Sequence, residues 1–232
     1  MQRSDKDNLQ VIYEDNHIIV VNKRAGDIVQ GDKTGDKPLS EIVKEYIKEK
    51  YNKPGLVFLG VIHRIDRVTS GIVIFARTDK ALTRLNKMLQ DHEIKKTYWA
   101  IVDKKPLAKE AELVHYLLRN SKQNKSYAHT KIVPNSKKAI LSYKLIKELD
   151  RYQLLEVNLK TGRHHQIRSQ LSKINFPIKG DVKYGFKRAN KDLSVHLHAR
   201  MIEFIHPVKK EIISLIAQLP NDPIWNACSN IK

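Results

Sequence analysis

The sequence predicts an α+β fold: one domain around a large mixed or antiparallel sheet, flanked by helices and loops. Short runs rich in β-branched residues recur along the chain, and two stretches carry apolar residues at helical spacing. No internal repeat, low-complexity tract or linker divides the 232 residues, a length that suits one large domain or two small ones.

The elements follow in order. Residues 1–10 read as a loose polar start. V-I-Y-E-D-N-H-I-I-V-V-N-K (11–23) reads as two strands around a turn at 14–16, because Ile18 to Val21 favour a buried strand. Residues 26–38, rich in Gly, Asp and Lys, read as a loop. Leu39, Ile42, Val43, Tyr46 and Ile47 share a helical face, which predicts a helix over 39–51, ended by Pro54–Gly55. A strand is expected at 56–62, a polar loop at 63–70 and a strand at 71–76. A second helix covers 78–91 with Thr78 or Asp79 as its cap. Lys95–Val102 reads as a strand with Tyr98 and Trp99 on opposite faces. Residues 105–145 read as an added hairpin region made basic by Arg119, Lys122, Lys125, Lys131, Lys137 and Lys138. A strand at 152–159, a helix at 165–173 and strands at 195–204 and 211–217 complete the pattern.

Charge narrows the partners. Lys and Arg total 43 against 25 Asp and Glu, a formal balance of +18. Such an excess attracts RNA, DNA or an anionic membrane surface; the plainer reading is a solubility device. The single cysteine, Cys228, excludes an internal disulfide and any cysteine-based zinc finger, which suits a reducing cytoplasm. The polar N-terminus predicts no secretory signal. No apolar run approaches the roughly 20 residues of a membrane span.

Three polar segments interrupt apolar surroundings. H-R-I-D-R-V-T-S-G (63–71) reads either as a turn fixed by Asp66 and Ser70 or as a carboxylate held at a sheet edge beside two arginines that keep it ionised. T-G-R-H-H-Q-I-R (161–168) reads as a basic helix start or as a phosphate site, with Arg168 equally able to pair with a carboxylate. V-H-L-H-A-R (195–200) puts His196 and His198 on one strand face, but no Cys, Asp or Glu at ligand spacing accompanies them, so no metal site is expected. No glycine-rich nucleotide loop is present.

Taken together these motifs resemble the RluA-type pseudouridine synthases. H-R-I-D-R-V-T-S-G is similar to that family's catalytic signature, usually H-R-L-D-x-x-T-S-G. The likeness continues in order from about Val11 to Pro220. V-I-Y-E-D-N-H-I-I-V-V-N-K-R-A-G resembles its opening hairpin and K-K-T-Y-W-A its K-x-Y-x-A segment. T-G-R-H-H-Q-I-R, F-P-I-K-G-D-V-K-Y-G and L-H-A-R-M-I-E-F-I-H-P follow. Two positions depart: Arg24 stands where the opening segment usually has proline, and Ile65 where leucine is commoner.

The resemblance implies a pseudouridine synthase domain over 11–220 with a tail at 221–232, of the standalone kind that lacks an S4 domain. It implies an enzyme that isomerises uridine in ribosomal or transfer RNA, cytoplasmic and monomeric, with no cofactor, no metal and no membrane. Asp66 is then the catalytic carboxylate, Tyr98 stacks on the flipped uracil, and Arg168 pairs with Asp66. The substrate set is His63, Arg64, Arg67, Thr69, Arg163, His165, Gln166 and Ile167. Arg64 fills the space the base leaves, and Ile167 packs against the base. The main alternative is a noncatalytic RNA-binding or ribosome-assembly protein on the same scaffold. A metal-dependent nuclease fits less well, because its carboxylates must cluster.

Overall fold

Ile18 to Lys23 form a strand with every residue buried, the apolar run around which the first half of the chain is built. In the computed structural model, which describes residues 3–32, 34–103, 105–106 and 108–231, it is one of eleven strands among those residues. In chain order they are β1 (Val11–Glu14), β2 (Ile18–Lys23), α1 (Leu39–Lys50), β3 (Gly60–Val61), β4 (Ser70–Ala76) and α2 (Asp79–Gln90). There follow β5 (Lys95–Val102), β6 (Glu110–Asn120), β7 (Lys125–His129), β8 (Lys137–Glu148), β9 (Gln153–Leu159) and α3 (Gln166–Lys173). A 3-10 turn (Val182–Tyr184), β10 (Leu197–Ile205), β11 (Ile212–Ile216) and the single turn α4 (Pro223–Asn226) complete the chain. The α+β reading of the sequence holds. The chain divides into two compact units, residues 1–94 with 199–220, and residues 95–198 with 221–232.

In the first unit β2 pairs antiparallel with β1 and with β4, in a register that sets Lys23 opposite Gly71. β3 joins β4, and β10 pairs with β11, both antiparallel. α1 buries Leu39, Ile42, Val43 and Ile47, the face that the 3–4 spacing predicts. The Thr78 hydroxyl accepts the Ala81 N–H at 3.3 Å and so caps α2, which buries Ala81, Leu85 and Met88. The strand expected at 56–62 shrinks to Gly60–Val61. These residues pair with Ala76 and Phe75, where β4 ends, so residues before Gly60 have no ladder to join. Leu56 is left fully exposed and Phe58 half-exposed.

In the second unit the strands run in the order β5-β9-β8-β6-β7, all antiparallel. Tyr98 lies opposite Val157 and Trp99 opposite Glu156, both rings buried, one on each face of β5.

Both chain ends carry specific contacts. The start is tied down where Ser4 donates through N–H (3.0 Å) and Oγ (2.6 Å) to the Asp27 carboxylate. At the other end Asp222 caps α4 by accepting the Ile224 N–H at 2.9 Å, Trp225 stacks on His196 with centroids 5.4 Å apart, and Cys228 is fully buried. Within this tail Trp225 and Cys228 are buried while most of its other residues are exposed, because Trp225 brings enough apolar area to be worth burying. Among the described residues no helix is long and apolar enough to cross a membrane.

Candidate active site

The polar loop between β3 and β4 has two buried apolar anchors, Ile62 at its start and Ile65 within it. Between them and β4 the chain makes a turn in which the Thr69 N–H donates to the Asp66 carbonyl at 3.0 Å. Gly71 follows with φ of +112°, and a Cβ there would lie 2.3 Å from the Ala199 carbonyl oxygen. Both the backbone conformation and the close approach require glycine. His63 accepts the Ile74 N–H through Nε2 at 3.1 Å, so its proton sits on Nδ1 and the ring is neutral.

Lys23 holds this loop from below. Its side chain is fully buried, and its Nζ donates to the carbonyls of Arg24 (2.8 Å), Asp27 (2.9 Å) and Arg67 (3.3 Å). The Gly26 N–H also donates to the Arg67 carbonyl, at 2.7 Å. Three carbonyls match the three N–H bonds of an ammonium, and the charges of Asp27 and Asp66 favour it as well. Burial works the other way and prevails, pulling the Lys23 pKa down to about 7. Arg67 pairs with Asp36 at 2.6 Å, and Asp36 also takes the Arg3 guanidinium at 2.6 Å. Arg64 is exposed, Asp66 is half-buried, and the buried Thr69 hydroxyl has no hydrogen-bond partner among the described residues. Arg24, standing in the usual proline position, donates to the Asn8 carbonyl at 3.2 Å and so ties the N-terminal segment to this loop.

The second polar segment is built differently. Gln166 opens α3 and is buried. Its Oε1 accepts the Thr161 hydroxyl (2.8 Å) and the Arg163 N–H (2.9 Å), while its Nε2 donates to the Ile140 carbonyl (3.1 Å). His165 sits just before α3 in the left-handed region at φ of 51°, and its Nδ1 meets the Tyr184 hydroxyl at 2.9 Å. The Tyr184 oxygen also accepts the Ser126 N–H at 2.8 Å. His164 stacks on His165 at 3.8 Å and bonds Ser126 Oγ at 2.9 Å. Arg168 is buried and grips Asp181 with two bonds, Nε to Oδ2 at 2.7 Å and Nη2 to Oδ1 at 2.8 Å. The Tyr184 ring lies 5.0 Å from its guanidinium carbon.

Residues 17–173 match the sequence profile of the family described as RNA pseudouridylate synthase. The chain belongs to that family. It is 34% identical to the ribosomal large subunit pseudouridine synthase D of Zymomonas mobilis, over 92% of this chain and 70% of that protein. It is 29% identical to the tRNA pseudouridine synthase C of Vibrio cholerae, over 94% of this chain and 93% of the other. The solved structure of human RNA pseudouridylate synthase domain containing 1 shares the fold, with a TM-score of 0.77, 21% identity, and coverage of 98% of this chain and 90% of that one. The protein is thus an RNA-modifying isomerase, a pseudouridine synthase.

Within this synthase the expected site residues fall into two groups. His63, Arg64, Asp66, Arg67 and Thr69 share one loop of the first unit. Tyr98, Arg163, His165, Gln166, Ile167 and Arg168 belong to the second. Of the latter, Gln166 spends its whole side-chain amide on folding the 161–166 turn, and Ile167 is buried. Asp181 and Tyr184 were not singled out by sequence reasoning. The signal was available: a buried arginine needs a carboxylate, and Asp181 is the acidic residue of F-P-I-K-G-D-V-K-Y-G. His196 is committed elsewhere, to Asp222 at 3.0 Å and to Asn190 at 2.8 Å. Among the described residues no group of three His, Cys, Asp or Glu is placed to hold a metal ion.

Proposed function

We propose that this synthase acts on uridines of ribosomal or transfer RNA, as a cytoplasmic monomer without cofactor, and that Asp66 is its catalytic carboxylate. The reaction breaks the N1–C1′ bond, turns the uracil and joins C5 to C1′; nothing is consumed. The base must first leave its stack, at a cost of a few kcal/mol. The observation that carries the assignment is the loop at 63–71. It has the family's catalytic signature, and its backbone is held in place by Lys23, the Thr69–Asp66 turn and Gly71.

Tyr98 then stacks on the extruded uracil and helps remove the C5 proton. Arg168, oriented by Asp181, is the partner that the family resemblance implies for Asp66. Arg64, exposed on the loop, enters the space left by the base. His63, Arg67, Thr69, Arg163, His165 and Ile167 shape or line the RNA site, whereas Gln166 contributes by folding its turn. The basic residues of β6, β7 and β8 hold the RNA backbone, a contact that gives affinity and salt dependence rather than sequence choice.

The test is pseudouridine mapping on total RNA from cells with and without the gene. Loss of pseudouridine at a ribosomal or transfer RNA position is expected, and it names the substrate. No change at any such position would favour a noncatalytic binder on this scaffold.

A further inference from the structure

Lys96 is the unusual cation of the second unit. It lies on β5, half-buried, and has no hydrogen-bond or ion-pair partner among the described residues. Burial alone acts on it, pushing its pKa below the ordinary lysine value. The other lysines withdrawn from water are treated differently. Lys23 has three carbonyls, and Lys179 has the Asn190 Oδ1 at 2.6 Å. A cation removed from water without a counter-group costs free energy. A site that keeps one is suited to an anion that arrives with the ligand.

Position and access agree with this. Side chains alternate along a strand, so Lys96 and Tyr98 project from the same face of β5, about 7 Å apart along it. Thr97, on the opposite face, is engaged with Asn158 at 2.7 Å. The Lys96 ammonium lies over Gly162, where a side chain's first carbon would be 3.7 Å away, so any longer residue there would cover it. Arg163 comes next in the chain, adding a second cation beside the same turn.

We propose that Lys96 is a phosphate-binding residue of the RNA site, holding one phosphodiester of the strand that carries the target uridine. This rests on the reading that Tyr98 receives the uracil, since a base on Tyr98 leaves its own backbone within reach of the neighbouring same-face residue. The contact is electrostatic and independent of sequence, and it fixes where along the strand the base is presented.

The test compares wild type with Lys96→Met and Lys96→Arg on unmodified ribosomal and transfer RNA transcripts, with KM, kcat and RNA binding measured across salt concentration. Lys96→Met is expected to raise KM about tenfold, with a smaller effect on kcat. It should flatten the slope of log affinity against log salt by about 0.7, the loss of one phosphate contact on a single strand. Its melting temperature should equal or exceed that of wild type, because an unpaired cation has left the interior. Lys96→Arg should restore the slope. An unchanged KM and salt slope in Lys96→Met, with wild type active, would overturn the phosphate assignment and leave the synthase reading intact. A lower melting temperature with an unaltered slope would assign Lys96 to the fold instead. A wild type inactive on every transcript would instead count against the reading beneath it.

Discussion

The two polar segments of this synthase are held in opposite ways. The loop around Asp66 is fixed through its main chain: Lys23 binds the Arg67 carbonyl, Thr69 closes a turn on Asp66, and Gly71 presses against Ala199. The segment around Arg168 is fixed through side chains, with Gln166 folding the turn and Asp181 gripping the guanidinium. Where the main chain does the anchoring, the fold leans less on exposed side chains, so substitution of Arg64 is expected to change activity more than stability. Side-chain anchoring makes chemistry and stability share the same residues, so substitutions near Arg168 are expected to touch both.

The largest stability effect is expected at Asp181. Asp181→Ala strands a buried guanidinium, and removal of one partner from such a pair costs about 3–5 kcal/mol. Chemical denaturation should show that loss, together with reduced turnover. A stable Asp181→Ala protein would break the contrast. Next comes Arg168→Ala, which should lower kcat far more than Lys125→Ala does; similar losses would contradict a role for Arg168 in the reaction.

Lys23 gives the contrast a pH signature. Its folded pKa of about 7 lies below the ordinary lysine value of 10.5. Between those values the unfolded chain binds a proton that the folded protein has released, so this group's contribution to stability rises as pH increases through that window. Below about pH 7 both states are protonated, and the full cost of burying the charge is present. Stability measured from pH 6 to 10 should therefore rise less steeply in Lys23→Met than in wild type. Identical slopes would show that Lys23 is not the group responsible. The smallest effect is expected at the basic hairpin. Lys125→Ala should weaken RNA binding modestly and equally for all sequences, lowering the salt slope by about one contact.

Much of this organisation is legible in the residues themselves. The spacing of Leu39, Ile42, Val43 and Ile47 gives α1 almost to the residue, and Thr78 marks the start of α2, because a buried face and a capping hydroxyl are local demands. The strand expected at 56–62 fails for a nonlocal reason: β4 ends at Ala76, so Leu56 and Phe58 have nothing to pair with despite suitable side chains. The N-terminal residues and the last turn look free in sequence, since the partners that bury them are distant, Asp27 for Ser4 and His196 for Trp225 and Asp222. The site divides the same way. Its motifs are contiguous and easily read, yet the carboxylate that grips Arg168 lies thirteen residues away, beyond the reach of spacing rules.

The most direct measurement is pseudouridine formation by purified Asp66→Asn on an unmodified transcript that the wild type modifies. No detectable product is expected, with RNA affinity close to wild type. Product formed at the wild-type rate would contradict the assignment of Asp66.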